Sequence, residues 1–94
     1  MKRITRKTQN NGHYVVDEDK IKKETGGYSG EAIERLAAFE NMYEDLIKGQ
    51  GEISEELERL RREGKKNSYK FRELMGKKLI NSNTMIILKN YGLE

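Results

Sequence analysis

His13 is the single histidine of this 94-residue sequence, and the sequence contains no cysteine. A zinc site would therefore have to be completed by carboxylates, which is uncommon for that metal. Nucleophilic catalysis needs a nucleophile activated by an oriented base, and His13 stands beside a predicted turn without such a partner. We interpret His13 as a solvated or packing residue. The sequence thus predicts a protein that is not an enzyme, with no catalytic residue, no metal ligand and no cofactor.

A glycine-rich segment, residues 26–30, precedes a predicted helix. Glycines allow the backbone to approach a phosphate, and the first amides of a helix are available to bind it. The segment matches neither a Walker loop nor a dinucleotide fingerprint, and Glu31 at the helix start would repel an anion. A linker followed by a helix cap at Ser29 is the favoured interpretation. An oligomeric binder of a nucleotide ligand remains an alternative function.

Nine basic side chains and two acidic ones lie between residues 59 and 78. Such a stretch could bind phosphates with salt-sensitive affinity, and the predicted helices on either side of Gly64 loosely match a helix-turn-helix. Residues 31–58 have the opposite balance, with nine acidic and two basic side chains. The two stretches could pair if they lie antiparallel or meet between subunits. Nucleic-acid binding through residues 59–78 is therefore an alternative to protein binding.

Two different local patterns divide the chain into an N-terminal part, residues 1–28, and a helical domain, residues 29–94. In the first part, β-prone runs at residues 4–8 and 13–16 flank Asn11-Gly12, a pair that favours a type I′ hairpin turn. Residues 17–23 predict a charged connector, and residues 25–30 a flexible break. The N-terminal part is therefore expected to be a short β-hairpin followed by a flexible connector.

From Ser29 onward, apolar residues recur at spacings of three and four, which predicts amphipathic helices. The first helix is expected to end at residues 49–51, where two glycines flank Gln50, and the second at Gly64. Ser68 can cap a third helix that extends from about residue 68 to 91 and ends at Gly92. The polar residues 81–84 leave open whether this helix is broken into two. The predicted fold class is mainly α, with an N-terminal hairpin, two amphipathic helices and a long C-terminal helix.

The C-terminal helix has apolar residues on more than one side. Ile80, Ile87, Leu88 and Tyr91 lie off the stripe that contains Leu79 and Ile86, and a helix that is apolar nearly all round needs several neighbours. The sequence therefore predicts a homo-oligomer, with a dimer favoured. The candidate partner-binding residues are the exposed basic and apolar positions Arg61, Arg62, Lys66, Ile87 and Tyr91.

Composition indicates where such a protein would act. Charged residues make up 37% of the chain and proline is absent, which suits exposed, uninterrupted helices. The longest apolar run, residues 85–88, is far shorter than the roughly 20 residues that span a bilayer. No apolar core of a signal peptide follows the basic N-terminus. We expect a cytoplasmic protein without a membrane partner.

Several segments together resemble small accessory proteins encoded by phages and prophages of Gram-positive bacteria. These segments are Glu34 to Glu40, Leu57 to Lys65, Phe71 to Leu74, Lys77 to Leu79 and Leu88 to Leu93. Their shared positions are mainly helix-core and helix-stop residues, and the family is largely of unknown function. The resemblance implies a phage context, in which small proteins often act on host machinery. The expected function is a non-enzymatic, host-directed inhibitor, for example of an antiphage defence system, that acts by protein–protein interaction in the host cytoplasm.

Overall fold

The computed structural model describes residues 1–10 and 12–94. The described chain is mainly helical and forms two compact units, Met1–Met42 and Tyr43–Glu94. The strands are β1 (Thr5–Lys7), β2 (Tyr14–Val16), β3 (Lys22–Glu24) and β4 (Gly27–Ser29), with a 3₁₀ turn at Glu18–Lys20. The helices are α1 (Glu31–Arg62) and α2 (Tyr69–Asn90).

The predicted N-terminal hairpin is present. β1 pairs antiparallel with β2, and Arg6 lies opposite Val15. Gly12 has a φ of 67°, a left-handed conformation that glycine adopts without steric cost, whereas the Asn11 half of the predicted turn lies outside the described residues. The Arg6 side chain donates to the Asp17 carboxylate at 2.8 Å, so a charge-assisted bond connects the hairpin to the segment that follows it.

A second hairpin occupies residues 22–29, where the sequence predicts a charged connector and a flexible break. That prediction is wrong. β3 and β4 pair antiparallel across a two-residue turn, with Lys23 opposite Tyr28, and Gly26 supplies the positive φ of 85°. Lys22 and Lys23 are both charged, so the sequence lacks the alternation of apolar and polar residues that indicates a strand. The hairpin does not need this alternation, because all three residues of β3 are exposed.

The start of α1 also differs from the prediction, which places a cap at Ser29. The Ser29 hydroxyl instead donates to the Glu24 carboxylate at 2.9 Å, within the second hairpin. The helical hydrogen bonds begin at the carbonyl of Gly30, which accepts from the Glu34 amide at 2.9 Å. Lys20 donates to the Glu31 carboxylate at 2.9 Å, and this pairing lowers the pKa of Glu31 below its ordinary value.

α1 passes through residues 49–51 without interruption, so two helices form where three are predicted. Each interior glycine costs about 1 kcal/mol relative to alanine, which weakens a helix without ending it. Leu46, Ile53 and Leu57 continue the same apolar register across the glycines. Ile53 and Leu57 pack in the cluster shared with α2, and this tertiary packing offsets the cost. Neither Gly49 nor Gly51 has the positive φ that Gly64 has at the real helix end.

α2 is a single helix, as the favoured interpretation expects. The Ser68 hydroxyl accepts from the Phe71 amide at 3.2 Å, which confirms the predicted N-cap. The polar residues 81–84 do not break the helix, and the Thr84 hydroxyl donates back to the Ile80 carbonyl at 3.0 Å. The helix ends at Asn90, two residues before Gly92, whose φ is 73°, and the Leu93 amide donates to the Leu88 carbonyl.

The core of the Tyr43–Glu94 unit is small. Leu57 and Leu60 of α1 and Leu74 of α2 are buried, and Ile53 and Phe71 pack against them partly exposed. This cluster lies beside the turn that joins the helices, residues 63–68. Further along the pair, the Gln50 side chain donates to the Lys78 carbonyl at 3.2 Å and to the Ser82 hydroxyl at 3.1 Å. These bonds set the register of α2 on α1.

Candidate interaction surfaces

The five predicted partner-binding residues form two groups at opposite ends of α2. Arg61, Arg62 and Lys66 lie at the turn between the helices, and we call them the turn cluster. Ile87 and Tyr91 belong to the last two turns of α2 and its C-cap. About 27 Å of helix separates Tyr69 from Ile87, at 1.5 Å per residue. One small contact cannot include both groups, so they belong to separate surfaces or to opposite edges of a large one.

Arg61 differs from its two neighbours because it already has partners within its unit. Its guanidinium lies 5.3 Å from the centre of the Phe71 ring and 3.4 Å from the Glu58 carboxylate. The stacked cation covers part of the apolar cluster, so Arg61 contributes to the fold. Arg62 and Lys66 are exposed and make no ion pair with the residues that the structure describes. These two residues are the available charges of the turn cluster.

The acidic and basic stretches do not neutralise each other through ion pairs between the helices. Within the described chain, the ion pairs near the turn are local. Arg59 binds Glu56 on α1 and Glu63 in the turn, Lys65 also binds Glu63, and Lys70 binds Glu73 on α2. These contacts raise the pKa of Arg59 and lower those of Glu56 and Glu63. The predicted pairing of an acidic helix with a basic one is therefore not formed within the chain.

The outer face of α2, which we define by Ile80, Ile87 and Tyr91, is exposed and apolar. Ile87 is 57% exposed and Tyr91 is 78% exposed. Spacings of seven and four residues place all three side chains on one side of the helix. The side chains that approach α1 lie elsewhere on α2, at Phe71, Leu74 and Ser82. The outer face therefore presents aliphatic and aromatic anchors to solvent.

A second apolar surface lies along the flank of the helix pair and includes Leu79 and Ile86 of the predicted stripe. Its members are Ile47, Met75, Leu79 and Ile86, and we call it the groove face. Leu79 is 63% exposed and Ile86 is 57% exposed, and Met75 and Ile47 are also exposed. Met75, Lys78, Leu79 and Ser82 line an open groove of about 220 Å³. Ile47 lies one turn before Gln50, which bonds to two of the groove residues.

Gln50 connects α1 to two residues that line the groove, Lys78 and Ser82. Its amide nitrogen is used, but its amide oxygen is buried and accepts no hydrogen bond from the described residues. A buried polar atom without a partner costs about 1–3 kcal/mol, so it is retained only where other contacts compensate. The periodicity of α2 was the one sequence signal for this surface, because it indicated more apolar residues than a single neighbour covers.

The other residues that the sequence singled out for possible chemistry, His13 and the glycine-rich segment 26–30, lie in the Met1–Met42 unit. His13 is exposed beside β2, and its carbonyl accepts from the Thr8 amide at 2.7 Å. Among residues 1–10 and 12–94, no group of three or more histidine, aspartate or glutamate side chains could hold a metal ion. The glycine-rich segment forms the turn and strand of the second hairpin rather than an open phosphate loop.

No family model, curated protein or solved structure matches this chain. Within the part of the chain that the structure describes, no helix is both long enough and apolar enough to cross a bilayer.

Proposed function

We propose that this chain is a non-enzymatic, phage-type binding protein that inhibits a host protein by direct contact and associates with itself as a dimer. The observation that carries the proposal is the outer face, where Ile87 and Tyr91 are exposed on a well-formed helix that already packs against α1 by another side. Apolar and aromatic anchors of this kind contribute much of the affinity at protein interfaces.

Burial of the outer face would supply part of the binding free energy, and further contacts with the partner would supply the rest. Full burial of a large apolar side chain contributes about 1.5–3 kcal/mol, so the exposed parts of Ile80, Ile87 and Tyr91 offer roughly 3–5 kcal/mol together. The exposed charges of Arg62 and Lys66 add orientation and association rate more than affinity. A partner with an apolar groove and an acidic rim would complement both groups.

The phage context and the inhibitory role come from the resemblance to phage and prophage accessory proteins. Such a protein would act in the cytoplasm of a Gram-positive host, and an antiphage defence protein is the target class that we propose. Stoichiometric binding is sufficient for this role, because the chain needs only to occupy a surface of its target.

The test is an affinity capture from lysate of a Gram-positive host with the tagged full chain. We expect one host protein to be enriched, and we expect Ile87→Asp to abolish the enrichment because it places a charge on the outer face. Reversal of Arg62 and Lys66 to glutamate should weaken capture about tenfold or more, since rim charges of the wrong sign repel an acidic partner.

The matched control is the double reversal of Lys22 and Lys23 in β3 to glutamate. It changes the net charge by the same amount, but on an exposed surface of the Met1–Met42 unit. This control variant should retain full capture. The proposal is wrong if Ile87→Asp and the reversal of Arg62 and Lys66 both capture the target as well as the unaltered chain. Inhibition at far below one molecule per target would instead indicate catalysis.

Nucleic-acid binding through residues 59–78 is the second candidate, and the unpaired Arg62 and Lys66 favour it. Phosphate contacts by these residues would give an affinity that falls steeply with salt. This function would be established by sub-micromolar, sequence-selective binding at physiological salt that is lost when Arg62 and Lys66 are reversed to glutamate. A nucleotide that co-purifies with the chain would instead support the small-ligand alternative.

A further inference from the structure

The groove face remains unused by the proposed host contact, because that contact uses the outer face. Ile86 and Ile87 are adjacent residues of one type, both 57% exposed, yet their side chains point about 100° apart around α2. We propose that the groove face packs against the groove face of a second copy, with the two copies antiparallel about a two-fold axis. This inference rests on the self-association within the proposed function and names its surface and geometry.

The chemistry of the face suits contact with an identical surface. Ser82 lines the groove and accepts from the Gln50 amide, with exposed apolar side chains on either side. Lys78 also lines the groove, but its aliphatic stem can cover apolar surface while the ammonium reaches solvent at the edge. Burial of this face in a dimer therefore requires no unpaired charge at its centre.

The spacing of these residues along α2 is self-complementary. Met75 and Ile86 are equally far from the midpoint between residues 80 and 81, and so are Leu79 and Ser82. An isologous interface needs this property, because each residue must meet its complement on the other copy. Antiparallel packing of α2 on its copy places Met75 against Ile86 of the second copy at both ends of the contact.

The distribution of charge selects the antiparallel arrangement. Residues 59–72, at the turn, carry seven basic and one acidic side chain, whereas residues 43–52 carry three acidic and one basic. Because α1 is one continuous helix, Glu44 and Arg62 are about 27 Å apart within a chain. That distance is well beyond the screening length of roughly 8 Å in physiological salt. Antiparallel copies keep the two basic turns at opposite ends of the dimer and place each of them nearer to the acidic part of its partner, whereas parallel copies would place the two basic turns together.

The first test uses the purified full chain alone and measures its mass by sedimentation at concentrations up to tens of micromolar. We expect a dimer. Ile86→Asp should raise the dimer dissociation constant roughly 100-fold or more, because each dimer would bury two carboxylates. Ile87→Asp is the matched control and should leave the constant within about threefold. A monomeric wild-type chain, or equal effects of the two variants, would overturn the proposal.

The second test determines the orientation and does not depend on a variant that carries a buried charge. The chain contains no cysteine, so single cysteines report contacts without background. Oxidation of Met75→Cys mixed with Ile86→Cys should give a disulfide between chains. Met75→Cys alone should not, since its two copies would lie about 16 Å apart along antiparallel helices, beyond disulfide reach. Cross-linking of Met75→Cys alone, or none in the mixture, would refute the antiparallel arrangement.

The two proposals can fail separately. Capture of a host protein by a chain that remains monomeric would leave the proposed inhibitor function intact and remove this inference. A dimer disrupted only by Ile86→Asp, with no host protein captured, would support this inference and count against the inhibitor function.

Discussion

Gly30 is the residue at which backbone geometry constrains the Met1–Met42 unit most tightly. Its φ is 118°, and a Cβ atom at this position would lie 2.6 Å from the Lys20 carbonyl oxygen and 2.9 Å from the Cα of Ile21. The 3₁₀ turn therefore passes directly against the start of α1, which allows the Lys20–Glu31 ion pair to form. Sequence patterns showed a glycine here but not the close contact that requires it.

We expect Gly30→Ala to destabilise the Met1–Met42 unit by about 2 kcal/mol or more, because it combines a disfavoured φ with a clash against backbone atoms. Gly27→Ala is the control, since Gly27 has no positive φ and open space where its Cβ would lie. Hydrogen exchange over residues 20–30 measures the difference. Equal protection in the two variants would contradict the close approach of the turn to the helix.

Arg61 shows how a residue chosen for binding can contribute to the fold. Its cation lies over Phe71, a residue that packs against the buried cluster, and it also pairs with Glu58. Substitution of Arg61 therefore changes stability and surface charge together, whereas Arg62 and Lys66 report on surface charge alone. Reversal of Arg62 and Lys66, with Arg61 unchanged, therefore tests the charge of the turn without changing the fold.

At the scale of the helix, glycine has two opposite roles in this chain. Gly49 and Gly51 lie inside α1, where they weaken the helix without ending it, whereas Gly64 has a φ of 72° and ends it. The Lys65 amide then donates to the Leu60 carbonyl at 2.8 Å, which satisfies a carbonyl that the end of the helix leaves unpaired. Whether a glycine ends the helix therefore depends on its backbone φ angle and not on the residue type.

Alanine substitutions separate these roles. We expect Gly51→Ala to stabilise the protein by about 1 kcal/mol, since its Cβ would meet nothing within 4 Å and alanine favours helix. Gly64→Ala should destabilise by about 1 kcal/mol, because alanine disfavours positive φ. Thermal denaturation of both variants measures whether each substitution raises or lowers the stability of the fold. A loss of stability in Gly51→Ala would argue against a continuous α1.

At the scale of the whole molecule, the buried apolar core is small relative to the exposed apolar surface. Leu57, Leu60 and Leu74 are the buried apolar residues of the described chain, whereas Leu79, Ile80, Ile86 and Ile87 each expose more than half of their surface. A domain of this size has thin stability, and association covers apolar surface that the single chain cannot bury.

Stability should therefore depend on protein concentration. If the folded state is a dimer, we expect the melting temperature to rise by roughly 3–5 °C for each tenfold increase in concentration. Circular dichroism at several concentrations measures this slope. Ile86→Asp should remove the dependence and Ile87→Asp should retain it. A melting temperature that stays constant across a hundredfold range in the unaltered chain would contradict a coupled dimer.

The sequence by itself determined the features that depend on local chemistry. The apolar spacing of three and four identified the helical part, and Ser68, Gly64 and Gly92 marked helix ends because capping and positive φ are properties of a few neighbouring residues. The first hairpin was predictable for the same reason, since alternating residues and a turn sequence favour it without distant contacts.

Only the tertiary structure decided what depends on distant contacts. Residues 49–51 read locally as a helix end, yet α1 continues through them to the core, where Ile53 and Leu57 pack with Leu74 of α2. Leu79 and Ile86 lie on the predicted apolar stripe of α2, yet they are exposed together with Ile47 and Met75, because α1 covers another side of α2. Helical periodicity shows which residues share a side. Whether another helix covers that side depends on how many helices the fold supplies, and the described residues form two.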